Sequence, residues 1–336
     1  MTVKRLLMTA MFVTISATSM YAQEVQMVTL QQGEDLQVFY GADGFKNALD
    51  AADHGDLITL STGSFSGNVN ITKSVTIQGA GYVTDIDKKI YPTIIDGNIT
   101  LIIPEDKKGL LIEGINIRQY LLFVSKVTEA TVKKCKISYC NLYNSNKGKT
   151  INCLFEQCRI HSFTPDGESE NLYVKNSVIS TIGENLTTAT FFVENCVITD
   201  AVGCVAYFQN NIIGGVHYNG SSSRTRDLKS SCTAYNNVFL RGYIDNVIIK
   251  ANNVNANSID LFGKNILGSS NDNESYELTP EAQAAFLGTD GTQVGVYGGE
   301  SPFTSIPSNP QIIESSIDAK STPDGKLNVN IKVKAQ

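Results

Sequence analysis

A seven-residue phrase of alternating apolar and polar positions recurs along the middle of the chain. It reads Leu111-Ile-Glu-Gly-Ile-Asn-Ile117, Thr131-Val-Lys-Lys-Cys-Lys-Ile137, Leu154-Phe-Glu-Gln-Cys-Arg-Ile160, Tyr173-Val-Lys-Asn-Ser-Val-Ile179, Phe192-Val-Glu-Asn-Cys-Val-Ile198 and Tyr207-Phe-Gln-Asn-Asn-Ile-Ile213, with Thr233-Ala-Tyr-Asn-Asn-Val-Phe239 a further copy. Taking the fourth residue as reference gives Gly114, Lys134, Gln157, Asn176, Asn195, Asn210, Asn236 and Asn252, with Ser74 and Asp96 extending the series upstream. The intervals run from 15 to 26 residues and average about 20. Successive side chains of a strand point to opposite faces, so two columns are predicted to point inward. Two residues before the reference lie Ile112, Val132, Phe155, Val174, Val193 and Phe208; three after it lie Ile77, Ile117, Ile137, Ile160, Ile179, Ile198 and Ile213. A unit this short buries such stripes only by stacking on its neighbour, about 4.8 Å away. The pattern predicts an all-β chain built as a parallel β-helix. The steps of 15 and 26 that flank Asn210 predict a shifted register there.

The two ends depart from this pattern. Lys4 and Arg5 precede the apolar run Leu6 to Val13, and a polar stretch ends at Tyr21-Ala22. A basic start, a short apolar core and a small residue before the cut predict a secretory signal peptide over 1–22. The apolar run is too short for a membrane span, which needs roughly 20 residues. Residues 23–39 form a lead-in. Phe45, Ala48, Leu49 and Ala52 then fall at helical spacing and predict a short amphipathic capping helix. Thr279-Pro280 marks a helix start, and the Gly-rich phrase Thr289 to Gly299 resembles the last-coil signature of secreted bacterial β-helix proteins. Beyond it, alternating strands around Asp324-Gly325 predict a hairpin. The division is signal peptide 1–22, lead-in 23–39, β-helix with N-terminal cap 40–300, and C-terminal strand and hairpin 301–336.

Three phrases carry a likeness to a known family: Ala48-Leu-Asp-Ala-Ala-Asp-His-Gly-Asp-Leu-Ile-Thr-Leu60, Ser74-Val-Thr-Ile-Gln-Gly-Ala-Gly81 and Thr93-Ile-Ile-Asp-Gly97. Over about residues 40 to 300 the chain resembles the pectin-lyase-like superfamily of right-handed parallel β-helices. It also resembles secreted bacterial β-helix repeat proteins of unassigned activity. The resemblance implies the fold and its handedness. Polygalacturonate lyases of that superfamily hold calcium with clustered acids and use Arg or Lys as base, and its hydrolases need close carboxylates. Yet Asp-Asp, Asn-Thr-Asp, Gly-His-Gly and Arg-Ile-Lys are all missing here, as is the lyase phrase Arg-x-Pro-x-x-Arg.

Charge and composition narrow the function. With 27 basic and 33 acidic residues the net charge is −6, and losing Lys4 and Arg5 with the signal takes it to −8. Without a basic block, nucleic acid is not an expected partner. The expected protein is exported to the periplasm, cell surface or medium, has no membrane insertion, and meets a polysaccharide or another cell-envelope component.

Each repeated polar residue has a structural explanation to set against a functional one. Asn176, Asn195, Asn210, Asn236 and Asn252 sit where the chain bends and predict an internal amide ladder. Glu113, Lys133, Glu156, Lys175 and Glu194 alternate in sign on an outward column. The seven cysteines lack zinc spacing, and Cys135, Cys158 and Cys196 share an inward column, so mostly free, buried thiols are expected. Tyr173, Phe192 and Tyr207 lie on an outward column and are the candidate sugar platform. Val178, Val197, Ile212 and Val238 are also outward, as if covered or facing a partner. For catalysis the longest interval offers Arg224, Arg226 and Asp227, and the loop Asp166-Gly-Glu-Ser-Glu170 has the oxygens that Ca²⁺ takes; no other cofactor is implied. The expectation is a non-catalytic β-helix binding glycan or a cell-surface partner, with a polysaccharide lyase or glycoside hydrolase acting on an acidic polysaccharide as the alternative.

Overall fold

The computed structural model describes residues 26–85, 91–142, 149–165, 168–183, 190–214, 228, 230–240, 247–266, 274–308, 311–317, 325–326 and 329–334. Of the described residues 44% are strand and 8% helix, an all-β structure. Two long sheets dominate. In the first, Leu57–Leu60, Thr76–Gln78, Leu111–Glu113, Thr131–Lys133, Leu154–Glu156, Leu172–Lys175, Phe191–Glu194, Tyr207–Gln209, Thr233–Tyr235 and Ile249–Ala251 pair in parallel, in chain order. The second holds the later strand of each repeat, from Gly63–Ser66 to Val254–Asn255. Parallel sheets that alternate along the chain in this way are compatible with a parallel β-helix.

Register follows the apolar columns. Ile117, Ile137, Ile160, Ile179, Ile198, Ile213 and Phe239 are successive neighbours across the second sheet. Ile112, Val132, Phe155, Val174, Val193, Phe208 and Ala234 are successive neighbours across the first. All of these are at most 2% exposed and belong to one core. The expected shift at Asn210 does not occur: Val193, Phe208, Ala234 and Lys250 stay in line. The uneven lengths are absorbed between strands, where insertions cost no ladder bond.

Upstream, the sequence alignment is corrected. Ile77 pairs with Ile112 and Thr76 with Leu111, so Gly79, not Ser74, matches Gly114. Asp96 lies on the second sheet, where its neighbour Ile95 faces Ile117. Gly79 and Gly114 approach so closely that a Cβ on Gly79 would lie 2.4 Å from the Gly114 carbonyl oxygen. The lead-in is also structured: Met27–Gln32 pairs antiparallel with both Asp35–Tyr40 and Leu57–Leu60. Against it packs α1 (Gly44–Ala51), whose Phe45, Ala48 and Leu49 join the core.

After Asn255 the chain does not add a repeat. Helices α2 (Ser258–Phe262) and α3 (Pro280–Ala285) bring Leu261, Phe262 and Ala282 onto the outer face of the second sheet, and Ile266, Tyr276 and Leu278 beside them join the same cluster. There they cover Val178, Val197, Ile212 and Val238, which are at most 6% exposed. The outward apolar column is therefore covered by the chain itself. Arg159, in the same column, donates to the Glu274 carbonyl at 2.6 Å and lies over the rings of Tyr276 and Phe303. Residues Gln311–Ile317 and Val329–Lys334 form a separate antiparallel pair.

Candidate binding groove

The reference residue of each repeat sits at the bend between the sheets with positive φ: Gly114 +69°, Lys134 +50°, Gln157 +54°, Asn176 +45°, Asn195 +50°, Asn210 +57°, Asn236 +55° and Asn252 +57°. Asn is the non-glycine residue that tolerates this region best, which explains the asparagine column. Its backbone amide donates to the carbonyl that precedes the next reference residue, as from Asn176 to Glu194 at 3.1 Å and from Asn195 to Gln209 at 3.0 Å.

Among the described residues the side chains of this column form the ladder read from the sequence only between Asn236 and Asn210. Most of them hold a strap, residues 287–308, that runs back along the bends toward the N-terminal repeats. Asn236 donates to the Leu287 carbonyl at 2.7 Å, and Asn210 receives the Thr289 amide at 3.1 Å. Asn176 donates to the carbonyls of Val296 and Gly298 at 3.1 and 2.7 Å, and Gln157 to that of Pro302 at 2.6 Å. At the far end Lys134 reaches Ser308, whose amide donates to Glu113 at 2.7 Å. Burial pushes the Lys134 ammonium below its usual range, with Glu113 opposing. Between neighbours of the column, Asn236 to Asn210 is bonded at 3.0 Å. Thr289–Gly299 is thus part of a return path and not a last coil.

The internal amide ladder exists one residue later. Asn211 Oδ1 accepts the Cys196 amide, Asn237 Oδ1 accepts the Asn211 amide, and Asn253 Oδ1 accepts that of Asn237, all at 2.9–3.0 Å. Asn211 donates to Asn237 and Asn237 to Asn253, each at 2.9 Å. The doublets Asn210-Asn211, Asn236-Asn237 and Asn252-Asn253 held this signal in the sequence. In the same column Cys135, Cys158 and Cys196 are buried thiols, and the other four cysteines are buried as well.

Between the strap and the outer face of the first sheet lies a groove of about 720 Å³. The sheet contributes Leu154, Glu156, Tyr173, Lys175, Glu194 and Gln209, the strap Thr289, Asp290, Gly299, Glu300 and Ser301, and a second bend Asn152 and Asn171. Glu156, Lys175 and Glu194 are in register on three successive repeats. Lys175 pairs with Glu194 at 2.8 Å and sits 4.9 Å from the Tyr173 ring centre. Gln209 is tied to Thr289 at 2.9 Å and Asn171 to Asn152 at 2.9 Å, so the walls are braced. Hydrogen bonds from Thr292 hold the Asp290 carboxyl below its usual range. Asn195 Oδ1, at the groove, is buried with no hydrogen-bond partner among the described residues.

The outward charged column is not uniformly solvated. Glu113 is 1% exposed beneath the strap, paired with Lys133 at 3.5 Å. Tyr173, Phe192 and Tyr207 do line up, with ring centres 4.6 and 4.9 Å apart and planes 10° and 22° apart. Their faces are turned to one another, so the column offers solvent ring edges and phenol hydroxyls, not the flat platform expected. Sequence parity gives the side of the sheet but not χ1, and in-register aromatic neighbours satisfy each other by stacking. Arg224, Arg226 and Asp227 lie outside the described residues, as do Asp166 and Gly167 of the acidic loop and the whole of 1–22. Glu170, from that loop, pairs with Lys149. Among the described residues no group of three or more His, Cys, Asp or Glu is placed to hold a metal ion, and no helix is long and apolar enough to cross a membrane. No family model matches the chain, and neither a curated protein nor a solved structure does.

Proposed function

We propose that this protein is an exported, right-handed parallel β-helix of the pectin-lyase-like kind, capped by α1 and closed by the C-terminal pair, that binds glycan without turning it over. The observation that carries the reading is the groove. Its volume of about 720 Å³ lies within the roughly 300–1,000 Å³ usual for ligand sites. Its lining of carboxylates, amides, two aliphatic hydroxyls, an ammonium and one tyrosine suits a ligand rich in hydroxyl groups. Braced walls keep those groups in place before a ligand arrives, which lowers the ordering cost of binding. Titration calorimetry of the mature protein with neutral, amino and acidic oligosaccharides tests this. Binding that weakens at least fivefold in Gln209→Ala is expected; equal affinity in that variant, or no binding at all, removes the groove as the site.

One observation favours a second reading, glycoside hydrolysis. Glu156 and Glu194 lie two repeats apart in one column, roughly 10 Å between backbones. That is near the 6.5–9.5 Å or so that separates the carboxyls of inverting hydrolases. Release of new reducing ends by the wild type, lost in both Glu156→Gln and Glu194→Gln, would establish this reading over the first.

A further inference from the structure

We propose that the groove selects saccharides carrying protonated amino groups and rejects uronates. This rests on the glycan-binding reading and specifies its ligand class. Four carboxylates line the groove, Glu156, Glu194, Asp290 and Glu300, against a single ammonium, Lys175. That ammonium is already paired with Glu194 at 2.8 Å, so no cation of the lining is left over for an acidic sugar. Asp290 is held in its charged form by two hydrogen bonds from Thr292, at 3.0 and 2.8 Å. The carboxylates stand on both walls, two on the sheet and two on the strap, so a ligand lying along the groove meets negative charge from both sides. In a cleft with protein walls this field is focused. A uronate would bring like charge to that field; an ammonium would complement it.

Hydrogen bonding points the same way. Carboxylates only accept. Of the four buried polar side-chain atoms with no hydrogen-bond partner among the described residues, Asn195 Oδ1 belongs to a residue that lines the groove, and it too is an acceptor. A protonated amine brings three donors and no acceptor. The surplus of acceptors in the walls matches a ligand with a surplus of donors.

The test compares three hexasaccharides at pH 6 by calorimetry: β-1,4-linked glucosamine, its fully N-acetylated form, and hexagalacturonate. The glucosamine hexamer should bind at least tenfold tighter than the acetylated one, and hexagalacturonate weakest. Raising salt from 50 to 500 mM should erase most of that tenfold preference, because it screens charge and leaves hydroxyl contacts intact. Glu156→Gln and Glu300→Gln should each cut the preference for the amino over the acetylated hexamer at least threefold; an unchanged preference in both would overturn the charge selection. If the acetylated hexamer binds as tightly as the amino form, the charge selection is wrong and the glycan reading stands. If hexagalacturonate binds best, the selection is wrong in sign. Tighter binding of hexalysine than of the glucosamine hexamer would reassign the groove to basic peptide, and absence of all binding would overturn both proposals.

Discussion

One interior column runs through two chemically different regions of the protein. In the earlier repeats it holds Cys135, Cys158 and Cys196; in the later ones it holds Asn211, Asn237 and Asn253. The backbone around both is the same. Each thiol donates to the carbonyl two residues before the reference of the preceding repeat, as Cys158 to Val132 at 3.4 Å and Cys196 to Val174 at 3.4 Å. Asn237 and Asn253 donate to the equivalent Phe208 and Ala234 carbonyls at 2.9 and 2.8 Å. A thiol makes that contact weakly and asks for little else. An amide makes it well but carries a second N–H that must be placed. Asn211 and Asn237 place theirs on the next asparagine, and Asn253 on the Ala251 carbonyl at 3.1 Å. Amides are therefore economical only in consecutive repeats, whereas thiols can be interrupted, as they are by Ser177.

The comparison breaks most severely at its centre. Asn237→Ala strips partners from Asn211, Asn253 and the Phe208 carbonyl at once. It should cost about 3 kcal/mol in urea denaturation, as a buried network losing its middle member; a cost under 1 kcal/mol would mean the ladder is incidental. Exchanging one chemistry for the other sharpens the contrast. Cys196→Asn abuts Asn211 and extends the ladder, while Cys135→Asn has no amide neighbour. The second variant should be less stable than the first by about 1 kcal/mol, one hydrogen bond.

Alkaline pH separates the two halves as well. Burial pushes the Cys135 and Cys196 thiols from 9.0 up to about 12, with backbone amides opposing more weakly. A raised acid holds its proton longer when folded, so stability is complete below pH 9 and falls as pH climbs from 9.0 toward 12. In the Cys135→Val, Cys196→Val double variant the decline between pH 9 and 11 should be shallower than in the wild type; parallel curves would show that these thiols do not set it. The smallest effect is expected outside the column. Glu194→Gln removes a partly exposed ion pair and should cost less than 0.5 kcal/mol or so. A loss as large as that of Asn237→Ala would contradict the distinction between inside and outside.

Much of this was legible in the chain. Alternation placed Ile137, Ile160, Ile179 and Ile198 in one buried line, and the same parity made Cys135, Cys158 and Cys196 inward. The Asn column is legible at its bend, and Asn236 does bond Asn210 as expected, but the strap that most of the column holds is not legible. Parity assigns a side and says nothing of what lies opposite, so the neighbouring asparagines, one residue on, took the ladder role unannounced. The aromatic column was placed on the correct side with the wrong presentation, because ring orientation depends on neighbours in other repeats.

By itself, then, the sequence determined the faces of the strands, the stacking of the repeats and the composition of the core, since each rests on local alternation within a recurring phrase. Only the tertiary structure decided what covers the outward faces. Asn176 meets Val296 across 120 residues and Lys134 meets Ser308 across 174. Contacts at that separation leave no periodic trace in either segment. The groove is made of exactly such contacts, with one wall from the repeats and one from the strap, and its charge becomes visible only when both stand side by side.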